Sequence, residues 1–196
     1  MKFTCPFILA SGSPRRKQLL LQLGMDFRIQ VSDADESFVA GTAPALIAEQ
    51  IATRKVDTIS ALTPNALTLA ADTIVVIDDE VLGKPETANE AIEMLSRLRN
   101  RQHYVYTGLA LSHPASGRQI IAHEKTGVFF ADLSDEEIST YVAGGSPMDK
   151  AGAYGIQDDR GALFVSRIEG DFYNVVGLPL HRLYEMVKQH FSDLLV

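Results

Sequence analysis

Four apolar residues, Phe7 to Ala10, run into Ser11-Gly12-Ser13-Pro14, and the pattern predicts a strand, a tight turn and a helix. Ser13 suits an N-cap and Pro14 the first helical position. Leu19, Leu20 and Leu23 continue at helical spacing until Gly24, which suits a left-handed stop. Phe27 to Val31 alternates as a second strand and leads into the acidic loop Asp33-Ala34-Asp35-Glu36. A helix opening at Thr42 or Pro44 then turns Leu46, Ile47, Ile51, Ala52, Val56 and Ile59 toward the core, with Lys55 on the same stripe. Leu67 to Ile77 is the most hydrophobic stretch and reads as a central strand buried on both faces, interrupted by Asp72.

Farther on, Asp78-Asp79-Glu80 makes a turn and Val81-Leu82 returns, bringing Gly83-Lys84-Pro85 back toward the start of that strand. Thr87 to Glu90 and Ser134 to Glu137 have the form of capping boxes. The first opens a helix through Ile92, Leu95 and Leu98, and the second a short helix ending at Gly144-Gly145. Between them Tyr104 to Ser112 and Arg118 to Asp132 form a long hairpin about Pro114 to Gly117. After a polar loop from Pro147 to Gln157 come a strand from Leu163 to Ile168, a turn at Glu169-Gly170-Asp171 and the segment Phe172 to Val176. A last helix begins at Gly177-Leu178-Pro179, with Leu180, Leu183, Tyr184 and Val187 on its buried face. No repeat or break in composition divides the chain, so residues 1–196 read as one α/β domain. The expected architecture is a mixed twisted sheet flanked by helices, with a cleft between two lobes.

A chain of 196 residues, 46% of them hydrophobic, has ample material for a packed core. The absence of a long apolar run leads us to expect a soluble cytoplasmic protein with no membrane partner. One cysteine excludes an internal disulfide, and five histidines standing singly give no zinc spacing. A net charge of −7 argues against a general nucleic-acid surface. A polyanionic substrate would therefore need a local positive pocket.

Arg15, Arg16 and Lys17 crowd the first helical turn, where the helix dipole is already positive. Either they point into water or an anion sits among them. Ser11, Ser13 and the close approach allowed by Gly12 make phosphate the natural anion. Lys55 either snorkels to water or reaches a buried anion. Asp72 in an apolar strand needs a charged, hydrogen-bonding or metal partner unless it marks a strand end. The acidic loop reads as a solvated turn or as part of a site. The loop Pro147 to Gln157 reads as a connector or as a place where Lys150, Tyr154 and Gln157 contact a flat charged ligand. No Walker loop, dinucleotide fingerprint or Gly-x-Ser-x-Gly elbow is present. Lys55, Lys84 and Lys150 with Asp35, Glu36 and Asp72 suit metal-assisted hydrolysis of a phosphoanhydride.

Several motifs occur in one order along the chain: Leu9 to Arg16, Asp35-Glu36, Arg54-Lys55, Ala71-Asp72-Thr73, Gly83-Lys84-Pro85, Asp149 to Gln157 and Val176 to Pro179. In this the sequence resembles the Maf family, also called septum-formation-inhibitor proteins, which are nucleoside triphosphate pyrophosphatases. The resemblance implies an inosine-triphosphatase-like fold, a homodimer, a divalent cation (Mg2+ or Mn2+), and cleavage between the α and β phosphates. It makes Asp72 the general base and places Ser11, Ser13, Arg16, Lys55 and Lys84 at the phosphates, with Glu36 and Asp72 at the metal. Arg15, Thr73 and Gln157 resemble the trio of the branch acting on dTTP and UTP, including modified pyrimidine nucleotides. The alternatives are the 7-methyl-GTP branch and a non-catalytic nucleotide-binding regulator of cell division.

Overall fold

The computed structural model describes residues 1–158 and 160–196. β1 (Phe7–Leu9) is wholly buried, and α1 (Pro14–Gln22) starts as the sequence predicts, with Pro14 in its first turn and the Ser13 hydroxyl accepting the Arg16 N–H at 3.4 Å. Its end is a Schellman motif. Gly24, at φ +63°, donates to Leu21 O at 2.9 Å, and Met25 donates to Leu20 O at 3.2 Å. β2 (Arg28–Ile29) is much shorter than the predicted Phe27 to Val31, and both its residues are exposed. It lies at the edge of the sheet and pairs only with the short β1, so no second neighbour extends it.

α2 (Pro44–Ser60) buries Ile47, Ala48, Ile51, Ala52, Lys55, Val56 and Ile59. Leu46 departs from expectation at 48% exposed, because it shares its face with Gln50 and Asp57. β3 (Leu67–Ile77) is buried at every position except Thr73, which is half-buried. The turn into β4 (Glu80–Leu82) has positive φ at both Asp78 (52°) and Asp79 (61°), the pattern that matches strand twist in a tight hairpin. The return ends with Leu82 opposite Val75, so Gly83-Lys84-Pro85 leaves beside the second half of β3, not its start.

α3 (Ala88–Leu98) is capped by Thr87, which accepts the Glu90 N–H at 3.2 Å. The Glu90 carboxylate reaches one residue beyond the expected box, to the Glu86 N–H at 2.8 Å. β5 (Gln102–His113) and β6 (Arg118–Phe130) are neighbours joined through Gly117 at φ +65°. α4 (Asp135–Ala143) has the complete reciprocal box between Ser134 and Glu137. α5 (Gly161–Phe164) takes the first residues of the expected strand, and β7 (Val165–Glu169) follows it. α6 (Phe172–Val176) and α7 (Leu180–His190) complete the chain's main elements. Tyr184, expected to be buried on α7, is 44% exposed at the margin of the apolar stripe, where the Lys188 ammonium covers its ring.

The seven-stranded sheet has the order β2-β1-β3-β5-β6-β7, with β4 paired to β3. It is mixed: β1 pairs in parallel with β2 and β3, whereas β3–β4 and β6–β7 are antiparallel. Two compact units share the chain, one of residues 1–72, 107–124 and 177–196, the other of residues 73–106 and 125–176.

In the first unit, Ile8, Ala10, Ala52, Val56, Ile59, Ala66, Ala70 and Ala110 form an apolar cluster in which small residues let α2 approach the strands closely. Gly108 of β5 marks the tightest point, since a Cβ there would fall 2.2 Å from the Ala48 carbonyl oxygen. The second unit has an aromatic core. Phe130 meets His103, Tyr154 and Phe164 edge to face, with centroid separations of 5.0, 4.7 and 6.2 Å. Among the described residues no helix is long and apolar enough to cross a membrane.

Candidate active site

Asp72 stands on β3 with 8% of its surface exposed, and Lys55 rises from the buried seam of α2 with 7% exposed. The Lys55 ammonium lies 2.6 Å from Asp72 Oδ1 and 2.8 Å from Glu36 Oε1. The lysine therefore reaches a buried anion instead of snorkelling, and Asp72 has the charged partner that its burial requires. One ammonium shared by two carboxylates forms the centre of the site.

Glu36 comes from the acidic loop after β2. Asp35 accepts the Ser37 N–H at 2.9 Å and the Ser37 hydroxyl at 2.5 Å, which curls the loop on itself. These two bonds from Ser37, with a smaller contribution from Arg54, hold the Asp35 carboxyl below its ordinary pKa. Arg54 donates from Nε to the Asp35 carbonyl and from Nη2 to the Ser37 carbonyl, each at 2.7 Å.

The first turn of α1 supplies a second cation. Arg16 donates from Nη1 to Ser11 Oγ at 3.1 Å and from Nε to the Gly177 carbonyl at 2.9 Å. Ser11 Oγ also accepts the Ser13 N–H at 3.2 Å, so the turn before the helix is held by its own hydroxyls. Desolvation lowers the Arg16 pKa, the Asp72 carboxylate opposes that shift, Arg15 adds to it, and Glu36 opposes it. Arg16 is thus within electrostatic reach of both carboxylates. Arg15 shares that environment, while Lys17 is exposed. Two carboxylates, two cations and the positive end of the α1 dipole meet here, an arrangement able to bind phosphate and activate water.

Lys84, Thr73, Gln157 and Lys150 belong to the second unit. Lys84 is exposed. Thr73 follows Asp72 directly on β3, and strand alternation sends the two side chains to opposite faces. Gln157 is exposed and its amide lies 3.4 Å from Asp158 Oδ1. Lys150 and Tyr154, the loop's other two candidates, have partners within the protein. Lys150 is buried and pairs with Asp149 at 2.7 Å and Asp158 at 3.2 Å, which ties the loop to itself. Tyr154 is also buried, with its hydroxyl 2.7 Å from His103 Nε2. Burial pushes the Tyr154 pKa up and pulls that of His103 down to about 3, so both stay neutral. Sequence reasoning missed Arg54 as part of the site's framework, although it directly precedes Lys55. It also gave the Gly177 carbonyl no role, although Val176 to Pro179 is one of the ordered motifs; the glycine stands at φ 119° before α7.

Among the described residues no three His, Cys, Asp or Glu side chains gather as a metal cage. Magnesium needs no such cage, since one or two carboxylates with waters and substrate phosphates suffice. Glu36 and Asp72, converging on one ammonium, fit that donor set.

Residues 6–190 match the family described as "Maf-like protein". A dTTP/UTP pyrophosphatase of Salinibacter ruber is 51% identical over 195 residues, covering 100% of this chain and 96% of the relative. One of Symbiobacterium thermophilum is 52% identical over 182 residues, covering 93% and 92%. Among solved structures, a HAM1 protein from Coxiella burnetii superimposes with a TM-score of 0.50 at 16% identity, covering 95% of this chain and 100% of that one. The last likeness shows a shared fold.

Proposed function

The chain belongs to the Maf family, and from that premise we propose that it hydrolyses dTTP and UTP to the nucleoside monophosphate and pyrophosphate. The observation that carries this reading is the Lys55 ammonium held between Asp72 and Glu36 beside Arg16, in a chain about half identical to dTTP/UTP pyrophosphatases over nearly its whole length.

In the proposed reaction a water oxygen bonds to the α-phosphorus, its proton passes to Asp72, and the bond to the oxygen bridging α and β phosphorus breaks to release pyrophosphate. Arg16, Ser11, Ser13 and the start of α1 neutralise and orient phosphate oxygens, and Lys55 holds Asp72 in place. Glu36 and Asp72 would hold a divalent cation, Mg2+ or Mn2+, which supplies charge neutralisation on the phosphates. Lys84 as a phosphate ligand and Arg15, Thr73 and Gln157 as base readers are supported by the family motifs in the sequence. Such substrates support a cytoplasmic location, and the same resemblance supports a homodimer.

Asp72→Asn tests the reading. Pyrophosphate release from dTTP should fall about 10²- to 10⁴-fold, while dTTP binding by calorimetry changes only a few-fold. Undiminished turnover would remove Asp72 as the base. Parallel assays with UTP and 7-methyl-GTP, with and without Mg2+ or Mn2+, check substrate and metal. Faster cleavage of 7-methyl-GTP would overturn the pyrimidine assignment, and no turnover of any nucleotide would favour a binding protein.

A further inference from the structure

Glu36 lies in a polar loop and its side chain is 55% exposed, so apolar packing does not fix its carboxylate. The bonds from Ser37 to Asp35 and from the Ala34 N–H to Ser32 Oγ at 3.1 Å shape the loop within itself. Arg54 joins the loop to α2, and it does so at the carbonyls of Asp35 and Ser37, the residues on either side of Glu36. Neighbouring helical residues point about 100° apart. Lys55 can therefore face inward to Asp72 while Arg54 turns toward the loop on the same helical turn.

We propose that Arg54 is a positioning residue for Glu36: its guanidinium fork fixes the carbonyls of the two neighbouring residues, Asp35 and Ser37, so that the Glu36 carboxylate meets the ammonium that also holds Asp72. The inference rests on the proposed function insofar as Glu36 serves the phosphate site. The fork requires arginine, because its donors are set rigidly for two acceptors, whereas lysine offers a single point charge on a flexible stem.

A double-mutant cycle with dTTP tests it, using Arg54→Ala, Arg54→Lys, Glu36→Gln and the Arg54→Ala/Glu36→Gln pair. Arg54→Ala should lower kcat/KM about tenfold or more, with Arg54→Lys close to it. In the Glu36→Gln background the same alanine substitution should change kcat/KM by less than about twofold. A full, undiminished loss in that background overturns the proposal.

Hydrogen exchange on the ligand-free proteins supplies a readout independent of turnover. Both Arg54 variants should exchange the Glu36 and Ser37 amides about tenfold faster, with the interior of α2 unaltered. Unchanged exchange in the loop overturns the clamp. Should Glu36→Gln turn over like the parent, the assignment of Glu36 to the site fails, and loop exchange alone then decides whether Arg54 holds it.

Discussion

Asp72 and His103 both sit on strands with less than a tenth of their surface exposed, yet they lie in opposite kinds of surroundings. Asp72 in the first unit has an ammonium at 2.6 Å and a guanidinium nearby. His103 in the second unit has a neutral tyrosine hydroxyl and the rings of Phe130 and Tyr154. Burial acting alone removes charge, as the His103 pKa of about 3 shows. Keeping charge inside needs an opposite charge within contact distance. The first place holds groups that a phosphate or cation can re-pair, while the second holds groups that only fill and orient a core. A buried polar residue in the sequence signals either condition, and its neighbours in space decide between them.

The strongest way to break this contrast is Lys55→Met, which leaves Asp72 buried without its cation. Urea unfolding should show a loss of about 3–5 kcal/mol, the cost of orphaning one member of a buried pair. The Lys55→Met/Asp72→Leu pair should recover much of that loss and none of the turnover. A smaller effect is expected at the neutral pair. Tyr154→Phe deprives His103 Nε2 of its hydrogen bond, and Nδ1 has none among the described residues. The same measurement should show a loss of about 1–3 kcal/mol, with dTTP turnover within about twofold of the parent. If turnover collapses in a folded Tyr154→Phe protein, the second unit's core is not merely structural.

The smallest effect sharpens the contrast through pH. The folded His103 pKa, about 3, lies below the unfolded value near 6.5. As pH falls below 6.5 the unfolded chain therefore takes up a proton that the folded chain refuses. Stability from this residue is complete above pH 6.5 and declines below it, with a slope approaching about 1.4 kcal/mol per pH unit. Unfolding free energies measured from pH 7 to 5 should follow that decline, and His103→Phe should flatten it.

Local chemistry made much of this legible in the sequence. Ser13, Pro14 and Gly24 bounded α1 because capping and left-handed stops depend on neighbouring residues. β3 was readable to its ends because an uninterrupted apolar run between turn residues has few alternatives, and Asp72 stood out within it for the same reason. Long-range facts were less accessible. β2 shrank because an edge strand extends only as far as its one neighbour supports it. Lys55 could be placed on an apolar seam, but its choice between water and Asp72 depended on how closely two remote segments pack. Tyr154 looked available because glycine and alanine surround it in sequence, whereas His103 and Phe130 enclose it in space.

The bare backbone at Gly108 lies against the turn of α2 that carries Ala48, and Lys55 leaves the same helical face two turns later. That face therefore sets how deep the lysine's reach extends. A single methyl group on residue 108 would act as a wedge under the helix and retract the ammonium from Asp72. Geneticists meeting such a variant would see a lost activity and find no polar atom altered, the signature of a tolerance set in the scaffold and felt at the charges.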